Sequence, residues 1–166
     1  MTSSWQQYLH KQCEAINKYA SLFCYILLVI ITAVTVMQIG LRFIFNNPTS
    51  WSEEIALLCL VWFGLIAIAI GIRRHEHIAI MFVRDLCPLQ IARALDYSAQ
   101  VLMAIFMTVV LFNGFSLSSL ISEQLLPASQ LPKSWLYLPL FFSGLLGLFN
   151  AGCNILLKDL KESADD

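Results

Sequence analysis

The sequence predicts an all-α integral membrane protein with four transmembrane helices, both termini cytoplasmic, and short amphipathic helices at the interface. Three observations carry that expectation. The chain is 58% hydrophobic and only 13% charged, where a soluble domain is about 45–50% apolar and about 25% charged. Its mean hydropathy is +0.72. Apolar runs long enough to cross a bilayer, about 20 residues each, recur four times between short polar breaks.

The chain opens with a polar lead over 1–18, in which Trp5, Leu9, Cys13 and Ile16 fall near helical spacing. That predicts a short amphipathic helix on the membrane surface. The apolar run that follows is longer than the roughly 7–15 residues of a signal-peptide core and has no small-residue cleavage site. It reads as a retained first span, 19–45. Thr35, Gln38 and Arg42 share one of its faces. Polar groups facing lipid go unsatisfied, so that face points at another helix, or Arg42 snorkels to the interface.

Asn46-Asn47-Pro48 ends the span, because proline lacks an N–H and restricts the residue before it. Thr49 or Ser50 then caps the second span, 51–72, with Glu53 three residues after Ser50 in a capping-box arrangement. Glu53 and Glu54 stand in its first turn, where the helix dipole favours negative charge. Gly64, Ala67 and Gly71 form a small-residue face suited to close helix packing.

The connection 73–97 is charged. Ile78, Met81, Phe82 and Leu86 share a helical face that would ride on the lipid surface, and Pro88 suits the first turn of a new helix. The third span is 97–121, with Asn113, Ser116 and Glu123 on one face. Pro127 and Pro132 punctuate the loop after it. The fourth span, 135–157, starts with the interfacial aromatics Trp135 and Tyr137. Ser143, Gly147 and Ala151, spaced by four, mark its packing face. The polar residues inside the spans, Gln38, Asn113, Asn150 and Asn154, read as interhelical hydrogen-bond glue. The chain thus divides into an interfacial segment 1–18, a membrane domain 19–158 and a cytoplasmic tail 159–166.

Lys and Arg set the orientation. Lys11, Lys18, Arg73, Arg74, Arg84, Arg93, Lys158 and Lys161 all fall on one side of the spans; Arg42 and Lys133 fall on the other. By the positive-inside rule the first side is cytoplasmic. The stretch 42–54 and the loop around Pro127 then face outward, into the periplasm of a cell with two membranes. Arg73 and Arg74 are placed to hold lipid head groups.

No catalytic centre shows. The net charge is -1, and no basic, aromatic-interleaved patch points to nucleic acid. His10, His75 and His77 lie outside the spans, where they cannot ligate a haem inside a helix bundle. The His75-Glu76-His77 spacing does not put both imidazoles on one helical face, so no metal is expected. Cys13, Cys24, Cys59, Cys87 and Cys153 form no CxxC motif, and none falls in an outer loop, against a disulfide-generating oxidoreductase. Cys24, Cys59 and Cys153 lie in apolar segments and read as small hydrophobes. An autonomous proton-coupled exporter needs an ionisable group deep in the membrane, and the spans have none near their middle. The chain is therefore expected to be no enzyme, to hold no cofactor, and to serve as a subunit. Glu53-Glu54 has two readings: a structural brace that ion-pairs with Arg42, or an outer docking site, with Trp51, for a soluble partner.

Arg42-Phe43-x-Phe45, Pro48, Trp51-x-Glu53-Glu54, Trp62, Gly64, Gly71 and His77-Ile78, followed by Pro127-Ala128, Pro132, Trp135, Tyr137, Pro139 and Gly144, resemble the small membrane subunit (DctQ type) of TRAP transporters. The resemblance runs from about span one to span four. It implies a sodium-coupled importer of a carboxylate solute, of sialic acid or C4-dicarboxylate type, in the bacterial inner membrane. It implies a periplasmic binding protein that captures the solute and a large membrane subunit that carries the sodium and solute sites. The small subunit would brace the scaffold of the large one, among membrane lipids. Some members fuse the two subunits; this chain ends after four spans, so a separate large chain is expected. The alternative is a membrane scaffold or assembly protein without a transport partner.

Overall fold

Helices form where the apolar runs stand. The computed structural model describes residues 4–47, 49–74 and 89–162. Helix α1 runs over Ser4–Phe43, α2 over Ser50–Arg74, α3 over Leu89–Leu120 and α4 over Ser134–Glu162. Each carries a window long and apolar enough to cross a membrane.

Two expectations about helix ends change. The separate surface helix expected over 1–18 is instead the opening of α1, a single 40-residue helix. No Gly or Pro interrupts the chain between Trp5 and Ile39, so nothing stops the helix at the polar-to-apolar boundary. Likewise α4 continues past the expected end at 157 to Glu162. The surface segment expected around Ile78 to Leu86 lies outside the described residues. Helix α1 does stop where Asn46-Asn47 predicted. Asn46 adopts a left-handed φ of 46°, which asparagine tolerates better than most residues, and the Asn47 N–H turns back to the Leu41 carbonyl at 3.0 Å.

The helices form a row rather than a closed bundle. α3 packs along α4, α4 along α2, and α2 along α1, while α1 touches α4 only briefly. Burial follows that order: 44% of the apolar window of α4 is buried, against 11% for α1 and for α3. So α4 is the centre and α1 and α3 are the flanks. One apolar cluster joins α1, α2 and α4 through Cys24, Ile66, Ile70 and Leu146. Another joins α2, α3 and α4 through Ile72, Met107 and Ala151.

Lipid is as apolar as leucine, so helices in it associate by close packing and hydrogen bonds rather than by the hydrophobic effect. The closest packing is between α3 and α4. A Cβ placed on Gly114 would stand 2.6 Å from Leu140 Cβ and 2.8 Å from the Phe141 nitrogen. One placed on Gly144 would stand 2.8 Å from the Leu111 nitrogen. Here the two backbones meet directly. Of the expected packing face on α4, Ser143 and Ala151 are buried and Gly147 faces Met107. Gly64 and Gly71 pack against no helix of this chain: a Cβ at either would meet nothing within 4 Å. Helix α2 turns Cys59, Ile66, Ala69, Ile70 and Ile72 inward instead, and its glycines look outward.

Candidate functional site

The polar residues gather at the two ends of the row. At the hairpin end, the α1–α2 and α3–α4 connections lie side by side. Glu54, in the first turn of α2, reaches across to the second connection. Its carboxylate accepts the Ala128 N–H at 3.0 Å, the Ser129 N–H at 2.7 Å and the Ser129 hydroxyl at 2.6 Å. The loop it holds is ordered by its own bonds. Leu125 bridges Pro132, Leu126 N–H donates to Leu131 at 2.8 Å, and Lys133 N–H donates to Gln124 at 2.7 Å. Gln130 takes a left-handed φ of 56° at the tip. Glu53 points the other way and accepts the Gln38 side-chain amide of α1 at 2.9 Å. The two adjacent carboxylates thus tie α2 to α1 and to the α3–α4 connection.

That geometry corrects two expectations. Among the described residues Arg42 makes no ion pair with Glu53 or Glu54; its guanidinium lies 5.8 Å from the centre of the Phe43 ring. Gln38, one turn earlier, takes Glu53, and the loop takes Glu54. The Ser50–Glu53 capping box is absent for the same reason. Instead Ser52, fully buried, donates to the Thr49 carbonyl at 2.7 Å and meets the Thr49 hydroxyl at 2.9 Å. Trp51 and Arg42 remain exposed at this end.

One turn below, Pro139 sits inside α4. Proline brings no N–H to the carbonyl four residues before it, which is that of Trp135. The indole N–H of Trp62 donates to that carbonyl at 2.9 Å. Trp62 also packs its ring against Phe23 of α1 and Phe142 of α4. Trp62→Phe keeps a ring there but loses the donor, and the expected loss is about 0.5–1.5 kcal/mol. In a Pro139→Ala background the helix supplies its own donor, and the same substitution should have little effect. Denaturant titration of the four variants in detergent checks this; an equal loss in both backgrounds would exclude the link.

At the opposite end, where α1 begins and α4 ends, Asn17 of α1 and Asn150 of α4 form a reciprocal amide pair at 2.7 and 2.9 Å. Both are buried. Asn150 also donates to the Ala69 carbonyl of α2 at 2.8 Å, and Asn17 to the Cys13 carbonyl at 2.8 Å. Asn154 donates to the Ile72 carbonyl at 2.8 Å and accepts Arg73 at 2.7 Å. Arg73 therefore turns inward to α4, not outward to lipid head groups: the Asn154 oxygen is left free by the amide bond to Ile72 and takes a charged donor. The side chain of Arg74 lies outside the described residues. Gln38, Asn150 and Asn154 bond between helices as expected. Asn113 does not; it is exposed and donates to the Val109 carbonyl of its own helix at 2.8 Å. Cys153 is also no plain hydrophobe, since it is joined to Cys13. Asn17 and Gly114 carry contacts that sequence spacing did not single out.

Most of the polar side chains within the row form bonds inside a helix or between helices. The arrangement defines a polytopic helical membrane protein whose helices are tied to one another by polar bonds. The family model described as tripartite ATP-independent periplasmic transporters, DctQ component, matches residues 31–160. The chain belongs to that family, the small permease subunits of TRAP transporters. It is 32% identical over 102 residues to the sialic acid TRAP transporter permease protein SiaT of Haemophilus influenzae, a match over 61% of this chain and 16% of SiaT. It is 29% identical over 102 residues to the small permease protein SiaQ of Vibrio cholerae, covering 61% of this chain and 59% of SiaQ. These matches span less than two thirds of either relative. A putative TRAP transporter small permease protein of H. influenzae is 27% identical over 162 residues, with 96% of this chain and 92% of that one covered.

Proposed function

We propose that this chain is the small membrane subunit of a sodium-coupled TRAP importer for a carboxylate of the sialic acid class, and that it acts as a static brace for a large membrane subunit. One observation carries the reading. Polar bonds tie α2 to α1 and to the α4 side at the hairpin end and tie α4 to α2 and to α1 at the other, and apolar packing joins the helices between them. Such a row resists sliding of its helices and offers long apolar flanks on α1 and α3. The sequence match supports a large partner. SiaT carries the matching segment as 16% of its length, and the sodium and solute sites would lie in a large membrane subunit outside that segment.

By the distribution of Lys and Arg, both termini face the cytoplasm across an inner membrane, and lipid covers what the partner leaves bare. The hairpin end then faces the periplasm. There the ordered loop fixed by Glu54, together with Arg42, Trp51 and Glu53, forms a docking face for the periplasmic binding protein. Purification of the full chain from its native membrane in gentle detergent should bring down a stoichiometric, very hydrophobic large partner. The pair, reconstituted with a binding protein, should take up sialic acid under a sodium gradient. A lone chain or a homo-oligomer would overturn the reading in favour of a scaffold without a transport partner. Replacing Trp51 by Ala and Glu53 by Gln together, with Glu54 kept to hold the loop, should lower uptake severalfold at low binding-protein concentration. Saturating binding protein should restore it. Uptake unchanged at low concentration would exclude the docking role.

A further inference from the structure

The contact between α1 and α4 is short and has two rungs. One is the Asn17–Asn150 amide pair. The other, four residues earlier on α1 and three later on α4, is Cys13 with Cys153, whose sulfurs are bonded as a disulfide. Both cysteines are buried, 0% and 4% exposed, in a cluster that Leu157 completes and Leu9 covers. They are 140 residues apart in sequence, so only the tertiary fold brings them together. Cys24 and Cys59 are also buried, yet they are free thiols. Among the described cysteines the juxtaposition is therefore specific to the end of the row where α1 begins and α4 ends.

We propose that Cys13 and Cys153 are a reversible thiol–disulfide pair that cross-links the first helix to the last. The oxidant is a low-molecular-weight disulfide of the glutathione class. One protein thiol gives up its proton, and the thiolate attacks a sulfur of glutathione disulfide, releasing one glutathione. The second thiolate then attacks the protein-side sulfur of the mixed disulfide, forming the Cys13–Cys153 bond and releasing a second glutathione. The two electrons and two protons lost by the protein end on the two glutathione molecules, and a dithiol reverses both steps. Access is from the start of α1, where Trp5, Tyr8, His10 and Lys11 are exposed and opening of a few helical turns uncovers Cys13, as helix ends open most readily. In the reduced form the amide rung alone registers α1 on α4. In the oxidised form the junction is covalent, and α1 cannot leave the row. The pair thus makes the seating of the first helix sensitive to thiol redox state, whichever side of the membrane that end faces.

The test uses the full chain in membrane vesicles, equilibrated with either glutathione disulfide or dithiothreitol, then unfolded in detergent and labelled with a mass-tagged maleimide. The chain has 5 Cys. All should label after dithiothreitol, and two fewer after glutathione disulfide. The oxidised chain should migrate faster on a non-reducing gel and yield a linked peptide pair holding Cys13 and Cys153. Dithiothreitol should restore full labelling. Cys13→Ser should abolish the linked peptide pair and the faster migration, leaving Cys153 either free or capped by a single glutathione that dithiothreitol removes. Full labelling after oxidant, or protection that maps to a different pair, would overturn the proposal. Peptide mapping of the wild-type chain decides the matter even if the serine variant fails to accumulate.

Discussion

Gly144→Val should remove most of the folded protein from the membrane, and Gly114→Val should do the same. A Cβ at Gly144 would stand 2.8 Å from the Leu111 nitrogen and 2.9 Å from its Cα. These are backbone atoms of a helix and cannot rotate aside, so α3 and α4 must separate along their whole contact. Overpacking of this kind costs about 1–3 kcal/mol and sometimes more, and in lipid no hydrophobic force pulls the helices back together. The effect should fall steeply elsewhere. At Gly147 the atoms met are the sulfur and Cγ of Met107, at 2.7 and 2.8 Å. A methionine side chain can swing away, so Gly147→Ala should be mild, while Gly147→Leu exceeds the room that Met107 can vacate. Gly64, Gly71 and Gly152 have nothing within 4 Å, and alanine there should be neutral or stabilising by up to about 1 kcal/mol through helix propensity. Unfolding of the isolated chain in mixed micelles measures the series. Equal losses at Gly144 and Gly64 would show that backbone contact between α3 and α4 does not hold the row.

The four helices were legible because length and apolarity decide a membrane crossing almost alone. What each face meets was less legible. The spacing of Gly64, Ala67 and Gly71 marks a groove, but spacing does not say whether the groove is filled from within the chain. The ion pair expected of Arg42 rested on opposite charges at nearby positions. It lost to Gln38, which the helix places one turn closer to Glu53, and to a loop whose N–H groups need acceptors. The Asn17–Asn150 pair spans 133 residues, and Asn17 sits in a stretch that reads as polar lead. Nothing local distinguishes it from a surface residue once the helix is taken to break at 18. By contrast, the Trp62 bond was partly readable: Pro139 inside a helix leaves the Trp135 carbonyl without a partner, and a buried carbonyl in lipid needs a donor. Only the identity of that donor required the fold. The Glu53–Glu54 pair shows the same division. Its position in the first turn of α2 follows from the sequence, while its role as a two-way tie depends on where the loop at Ser129 lies.

Asn150→Leu should give the second large effect. Asn150 is fully buried and bonds to both α1 and α2. Its loss leaves the Asn17 side-chain oxygen without the Asn150 donor and removes the donor to Ala69, while Asn17 can still donate to its own helix at Cys13. Orphaning a buried group costs about 1–3 kcal/mol in soluble proteins. Side-chain hydrogen bonds in membranes average nearer about 0.6 kcal/mol and reach about 1.7, so roughly 1–2 kcal/mol is expected for a side chain that makes several. Asn17→Leu should be milder, because Asn150 keeps its bond to Ala69. The double variant decides whether the pair acts as a unit. With both amides replaced by leucine no orphan remains on either side, and removal of both partners can be close to neutral. The double variant should therefore be no less stable than Asn150→Leu alone. Unfolding should be measured with the thiols reduced, since a covalent rung at Cys13–Cys153 one turn away would mask the amide contribution. Losses that simply add would mean that the two asparagines act separately, and that α1 is held to α4 by apolar contact alone.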